Sequence, residues 1–484
     1  MFILSNISQQ TKLVAVFFLI VIVHVVFKVF YLDYSCLWYD ETFGLHYSLQ
    51  DWGLIKHTSE WDLNPPLYYY FLYIWRNLFG VSEFAIRFSS VLFSSLAAGM
   101  LYLISVKYFN KTTALIALLI YTASNEMYFY AHEARCYALL FFLILFSTYH
   151  FFKLNKEKSI SSIICLGIGN FLIVYTHYVA GLVLFFQVIL MFAFYNKSFT
   201  KQAGIAYLIT LVLVFWRFTR KMFLLIFHHE KSFWVTKPTF TDLQNTFYDF
   251  FNGKEYFLAY LLIALLALII PFIVKKGSVL NKIHVNNTYV LLCGVGAILI
   301  CFSVSLITPI FIKRYVLFAI PFMCIFIGYI VSKVSNIKLR NLLVLFVCVV
   351  SLGSFTKIDF HTDKKMNYRD AMVLLKQEKT AKTLVLVQTR DMEALFSYYY
   401  DKSIFTNYGN VVTELRKNNI YLIQGMDDVK NTDLNPYEKV ILTQTFVQAG
   451  KENDKLLEFI TSKYTKQNQI KDYEGINLYI FTNQ

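Results

Sequence analysis

Trp38-Tyr39-Asp40-Glu41 and Trp61-Asp62-Leu63-Asn64-Pro65-Pro66 stand in the first long polar break of the chain, which runs from Asp33 to Pro66. Strongly apolar segments flank it on both sides. Adjacent carboxylates beside a membrane are costly to keep unless they are paired or have a task. The break therefore poses two questions. How often does the chain cross a membrane, and on which side do Asp40 and Glu41 lie?

Composition answers the first in outline. Of 484 residues, 57% are hydrophobic and only 16% charged, so a soluble chain of this length could not cover its apolar surface and a polytopic membrane protein is expected. Apolar stretches of crossing length, roughly 17–25 residues, occupy 13–32, 84–106, 113–131, 136–152, 160–176, 178–195, 203–227, 256–274, 288–308, 315–332 and 340–356. The aromatic stretch 66–80 is shorter and carries Arg76. Two prolines at its start suit the first turn of a helix.

Loop charge answers the second question. If 66–80 lies along the interface as an amphipathic helix, one set of loops gathers Lys12, Lys107, Lys111, Lys153, Lys156, Lys158, Lys197, Lys201, Lys275, Lys276, Lys282, Lys333, Lys338 and Arg340 against a single acid, Glu157. The positive-inside rule then puts these loops in the cytoplasm. The first polar loop, 33–83, and the C-terminus fall on the extracytoplasmic side. The formal charge of +14 sits almost wholly in the membrane part, since 357–484 holds 18 Lys and Arg against 17 Asp and Glu. Scattered between apolar helices, it fits membrane lipids as partners and not nucleic acid. The seven cysteines show no CxxC spacing and read as small buried side chains. The first apolar run reads as a span, with no cleavage site after it to suggest a removable signal.

The expected architecture is a polytopic α-helical membrane domain, 1–356, with about eleven transmembrane helices, a juxtamembrane helix in the first loop and a C-terminal soluble α/β domain, 357–484. In that domain Thr383–Val387, Ile420–Ile423 and Lys439–Leu442 read as buried strands. Asn367–Gln377, Asp391–Tyr400 and Glu452–Lys463 read as amphipathic helices. No GxGxxG or GxxxxGK[ST] occurs, so a nucleotide-binding domain is not expected.

Asp40 and Glu41 lead the candidates for chemistry. Transfer of a sugar to a hydroxyl needs a carboxylate that accepts the acceptor's proton, and one suffices when the leaving group is a phosphate. The plainer reading is that the pair caps a helix beginning near Tyr39. A phosphate leaving group needs cations. Arg87, Arg135, Lys313 and Arg314 are the candidates, with Arg217, Arg220 and Lys221 behind them. Snorkelling to the interface is the alternative for these. Asn64, fixed by Pro65, is a candidate sugar contact. Tyr39, Glu133 and Tyr137 are further substrate-side candidates, and Trp38, Trp61 and Trp234 are candidates for an aromatic belt or for stacking on a sugar. No cofactor is expected. A divalent metal at Asp40 and Glu41 with His57, Glu126, His132 or Glu133 is the alternative, although no ligand spacing supports it.

In order along the chain, WYDE at 38–41, NPPLYY at 64–69, Gly80–Arg87, Ala131-His-Glu-Ala-Arg135-Cys-Tyr137, and Lys313-Arg314-Tyr315 followed by Pro321 resemble the GT-C glycosyltransferases over roughly residues 10–350. The nearest branch is the family 39 type: protein O-mannosyltransferases and bacterial lipid A aminoarabinose transferases. The resemblance implies a polyprenyl-phosphate-linked sugar donor, inversion at the anomeric carbon and Asp40 as the base. Members often carry HPPL or KPPL where this chain has Asn64, so neither branch's substrate is copied. The function expected is an inverting glycosyltransferase at the extracytoplasmic face of a bacterial inner membrane. A polyprenyl-linked glycan transporter or an oligosaccharide ligase is the competing reading.

Overall fold

A computed structural model of the chain describes residues 8–58, 64–227, 235–273, 285–362, 364, 366–445, 451–464 and 466–482. The chain divides into two compact units. The first contains 1–30, 57–68 and 87–360. The second contains 31–56, 69–86 and 361–484. The first polar loop thus falls largely into the same unit as the C-terminal region.

The first unit is helical. Among the described residues six helices are long and apolar enough to cross a membrane: Gln9–Lys28, Glu83–Tyr108, Tyr137–Lys156, Lys197–Phe215, Val285–Ser305 and Ile337–Phe355. A seventh candidate is the pair Phe240–Phe250 and Lys254–Ile269, bent by 80°. Four shorter apolar helices, Lys111–Thr122, Ile160–Thr176, Tyr178–Phe194 and Ala319–Ser332, complete the set. Each of the eleven apolar stretches in the sequence carries one of these helices or the bent pair.

Helices in lipid gain no hydrophobic drive from each other, so close backbone approach and internal hydrogen bonds hold them together. Gly328 lets the Ala319–Ser332 helix press on Lys111–Thr122; a Cβ there would lie 2.7 Å from the Thr113 carbonyl oxygen. A buried polar network ties five more helices. The Ser147 hydroxyl donates to Asn170 Oδ1 (2.6 Å), and Gln187 Nε2 donates to Ser147 Oγ (3.0 Å) and the Tyr289 hydroxyl (3.2 Å). Tyr207 in turn donates to Gln187 Oε1 (2.7 Å). Asn252, at the bend of the broken pair with φ of 62°, donates to the carbonyls of Ala123 (2.7 Å) and Ser354 (2.9 Å).

The second unit is built on a five-stranded sheet of order β2-β1-β3-β5-β4. The strands are β1 Thr383–Gln388, β2 Ile420–Ile423, β3 Lys439–Thr445, β4 Lys466–Tyr473 and β5 Ile476–Thr482. β1 runs parallel to β2 and β3, and β5 runs antiparallel to β3 and β4. Strand alternation sorts the core onto two faces. Leu384, Leu386, Val440 and Leu442 pack with Leu456 and Ile460 on one face. Val385, Val387 and Ile441 pack on the other with Met372, Leu375 and Phe396, and with Cys36 of the first polar loop.

Substituting Gly328 tests the packing of the first unit. Gly328→Val forces the two helices apart and is expected to cost about 1–3 kcal/mol. The measurement is the thermal midpoint of the detergent-solubilised protein; an unchanged midpoint would show that the crossing is looser than described.

Candidate functional site

The second unit holds the loop that carries Asp40 and Glu41. The Tyr39–Ser48 helix starts on Trp38, and Glu41 reaches back to accept the Trp38 backbone N–H (3.3 Å). Glu41 is fully buried, and its Oε2 also accepts from the Lys364 ammonium at 2.8 Å, with that side chain 4% exposed. Glu41 is therefore both a helix cap and one half of a dry ion pair. Asp40, its neighbour on the first turn, is half-buried. Tyr39 packs its ring on Phe43 at 6.0 Å.

The chain just before Asp40 is held by residues more than 300 positions away. Leu37 N–H donates to the Tyr399 hydroxyl at 2.5 Å. The Arg369 guanidinium donates to the carbonyls of Asp33 and Tyr34, the latter at 3.1 Å. The same guanidinium bonds Glu83 at 2.8 Å, and Tyr399 donates to that carboxylate at 2.5 Å. Lys364 N–H donates to Ser35 Oγ at 3.0 Å. Lys364, Arg369 and Tyr399 were not among the residues singled out from the sequence.

His46 lies two turns further along the same helix. Burial holds its imidazole down to about 4. Glu393 stands 4.0 Å away and Tyr408 packs at 4.8 Å. With the imidazole neutral, the contact to Glu393 is weak.

The first unit holds the cationic candidates. Arg87 is 1% exposed at the start of the second turn of its helix, and one turn on the Ser90 hydroxyl donates to the Glu133 carbonyl at 2.7 Å. Glu133, Arg135 and Tyr137 are all buried. Tyr137 lies 6.3 Å from His177, and His177 lies 4.8 Å from Tyr315. Burial holds the His177 imidazole down to about 4, and Arg135 and Arg314 both push it further in that direction. These two arginines thus share one neighbourhood with Glu133, Tyr137 and His177. Lys313 is differently placed: its ammonium contacts Glu126 at 2.7 Å and Asp249 at 2.9 Å. Two carboxylates already match its charge, which makes it a brace between three segments and a poor phosphate ligand. Asn64 is a half-buried bend before the Leu67–Phe79 helix. Trp61, Trp234 and the side chains of His57, Arg217, Arg220 and Lys221 lie outside the described residues.

Lys28 is a cation that the sequence reading passed over. It is 1% exposed, donates to Ser94 Oγ at 2.7 Å and stands 5.2 Å from the Tyr121 ring. A lysine closing an apolar run was the available signal. Among the described residues no group of three or more His, Cys, Asp or Glu side chains could hold a metal ion.

Removing one partner of a buried ion pair strands the other charge, at about 3–5 kcal/mol. Glu41→Gln and Lys364→Met are each expected to destabilise the protein by that order. The double variant Glu41→Leu/Lys364→Met should lose less than either single change. Equal or additive losses, measured by denaturant unfolding, would show that the pair is not coupled. His46 gives a pH signature. Unfolded, it titrates near 6.5. Between 6.5 and 4 the unfolded chain binds the extra proton, so stability present above about pH 6.5 is lost as pH falls towards 4. The loss is about 3 kcal/mol at most, and His46→Phe should flatten the pH dependence of unfolding in that window.

No curated protein sequence matches this chain significantly. Residues 63–219 match the family model of dolichyl-phosphate-mannose-protein mannosyltransferase. Two solved structures share the fold along nearly the whole chain. One is ArnT from Cupriavidus metallidurans in the apo state, with a TM-score of 0.60 and 13% identity, covering 98% of each chain. The other is ArnT from Cupriavidus metallidurans bound to undecaprenyl phosphate, with a TM-score of 0.58 and 12% identity, covering 97% of this chain and 98% of that one. At such identities the likeness speaks to the fold. The chain is a largely helical protein, with several helices long and apolar enough to cross a membrane, that shares the fold of ArnT from Cupriavidus metallidurans, and its residues 63–219 match the dolichyl-phosphate-mannose-protein mannosyltransferase family model.

Proposed function

We propose that this protein is an inverting glycosyltransferase that moves one sugar from a polyprenyl-phosphate donor to a hydroxyl on a lipid, glycan or protein acceptor. The observation that carries the reading is the neighbourhood that the buried Arg135 and the half-buried Arg314 share with Tyr137 and His177. Guanidinium groups in a water-poor setting match the oxygens of a lipid-linked phosphate. The fold shared with an ArnT bound to undecaprenyl phosphate supports the same donor class.

In this reading the Asp40 carboxylate accepts the acceptor's hydroxyl proton as the oxygen attacks the anomeric carbon. The bond from that carbon to the phosphate oxygen breaks on the opposite face, and polyprenyl phosphate leaves with the electron pair. Arg87, Arg135 and Arg314 take up the negative charge that the phosphate gains, and Asn64, Tyr39, Glu133 and Tyr137 serve the sugar and the acceptor. Glu41 supports Asp40 through the cap and the Lys364 pair. The eleven apolar helices, counting the bent pair once, are read as eleven crossings of a bacterial inner membrane, with the loop 33–83 and the α/β region 357–484 on the extracytoplasmic side. That assignment is supported by the one-sided lysine pattern of the opposite loops.

The test is incubation of purified protein with a polyprenyl-phosphate sugar and a membrane-lipid extract, followed by mass spectrometry. A glycosylated acceptor and free polyprenyl phosphate are expected. Asp40→Asn should lower turnover about 10²–10⁴-fold with an unchanged thermal midpoint, and Arg314→Ala should lower it with the same fold intact. Wild-type turnover in Asp40→Asn would remove it as the base. Movement of the lipid across vesicles without covalent transfer would replace the reading with a transporter.

A further inference from the structure

The second unit contains an open cleft of about 620 Å³ that includes no residue assigned to the transfer chemistry. Its size falls within the range of small-molecule sites, roughly 300–1,000 Å³. Glu83, Arg369 and Tyr399 line one part of it, and Lys376, Tyr400 and Lys402 another.

Its charges divide into matched and unmatched groups. Glu83 is satisfied by Arg369 at 2.8 Å and by the Tyr399 hydroxyl at 2.5 Å. Asp401, also on the wall, caps the Lys402–Thr406 helix: its Oδ1 accepts from Ser403 N–H (2.8 Å) and from the Ser403 hydroxyl (2.7 Å). The two lysines remain, Lys376 feeling the Asp401 carboxylate only from beyond ion-pair distance. Lys376 stands 5.5 Å from the centre of the Tyr400 ring and Lys402 4.9 Å from that of Tyr398. Among the described residues neither ammonium forms an ion pair. A cation poised over an aromatic face is held in direction but keeps its hydrogen-bond donors available. The half-buried Tyr400 ring, stacked on Phe396 at 5.7 Å, and the Asn418 amide add an apolar face and a polar group to the same cleft.

We propose that this cleft binds an anionic saccharide, with its carboxylate or phosphate on Lys376 and Lys402 and its ring against Tyr400. The demand for negative charge comes from the cleft alone; the choice of a saccharide rests on the transferase reading above. The site also has mechanical meaning. Arg369 and Tyr399, which form its wall, are the residues that hold positions 33–37 just ahead of Asp40. An occupant of the cleft therefore rests on the support of the base-bearing loop.

The experiment is isothermal titration calorimetry on the full-length, detergent-solubilised protein with glucose 6-phosphate, glucuronate, glucose and inorganic phosphate as probes. Glucose 6-phosphate and glucuronate are expected to bind about tenfold or more tightly than glucose. Lys376→Ala/Lys402→Ala should weaken both anionic sugars by about tenfold or more. Both lysines are exposed, so the double variant should keep its thermal midpoint. Tyr400→Ala should weaken the sugars and leave phosphate unaffected. Absence of anionic-sugar binding, or full binding in the double-lysine variant, would overturn the proposal. Inorganic phosphate binding as tightly as glucose 6-phosphate would overturn its saccharide part. Asp40→Asn should bind these probes as the wild type does, so failure of the transfer reading and failure of this one are told apart.

Discussion

The ion pair between Glu41 and Lys364 is the constraint on which the candidate site depends. A buried pair adds little net stability compared with apolar side chains of similar size, yet separating its partners is expensive. Its effect is to specify. With Glu41 committed to Lys364 and to the Trp38 N–H, the first helical turn of the loop can take one register against the 364–399 region. Asp40 sits on that turn and inherits its position. The two adjacent carboxylates thus have different physical lives: Glu41 is dry and matched, while Asp40 is half-buried on a fixed backbone. The base proposed for transfer must be held in place by something other than itself, and its neighbour Glu41 does the holding.

Arg369 and Tyr399 extend the same constraint. Together with Glu83 they close a polar network in which a carboxylate, a guanidinium and a phenol satisfy one another and the carbonyls of the incoming chain. The C-terminal region is in this respect part of the first loop's framework, which gives its sheet and helices a purpose beyond their own core.

How much of this was legible in the sequence follows from the range of each interaction. A helix facing lipid must be apolar whatever it touches, so the stretches around 84–106 and 340–356 announce themselves. Continuous apolar runs made β1 and β3 readable as buried strands, and both faces are indeed covered, Leu384 packing on one and Val385 on the other. β4 was not readable: it is one of the two edge strands and, unlike the apolar β2, its Lys466–Tyr473 stretch is polar as edges commonly are. The network of Ser147, Asn170, Gln187 and Tyr289 escaped for a related reason, because uncharged polar residues inside apolar runs barely disturb hydropathy. Lys364, Arg369 and Tyr399 left no local trace at all. Their partners lie 286 to 362 positions away, and a pairing of that range has no period and no spacing.

Charge matching also separates braces from sites, and it does so in both units. Lys313 looked from the sequence like a partner of Arg314 in holding phosphate. In the structure its ammonium meets Glu126 and Asp249, and burial pushes the Glu126 carboxyl up against the pull of Lys313. A cation held by two carboxylates offers an anion no net attraction, so this group locks the Asn125–Phe129 turn to the end of the Phe240–Phe250 helix. Arg135 and Arg314 instead act together on His177 and Tyr137, among aromatic rings, where a planar guanidinium is most at home. In the second unit Arg369 is matched by Glu83, whereas Lys376 and Lys402 face tyrosine rings. Where a cation has two carboxylates within ion-pair distance, as Lys313 has, the fold uses it as a brace. Lys376 and Lys402 are exposed, form no such pair among the described residues and keep their donors open beside tyrosine rings.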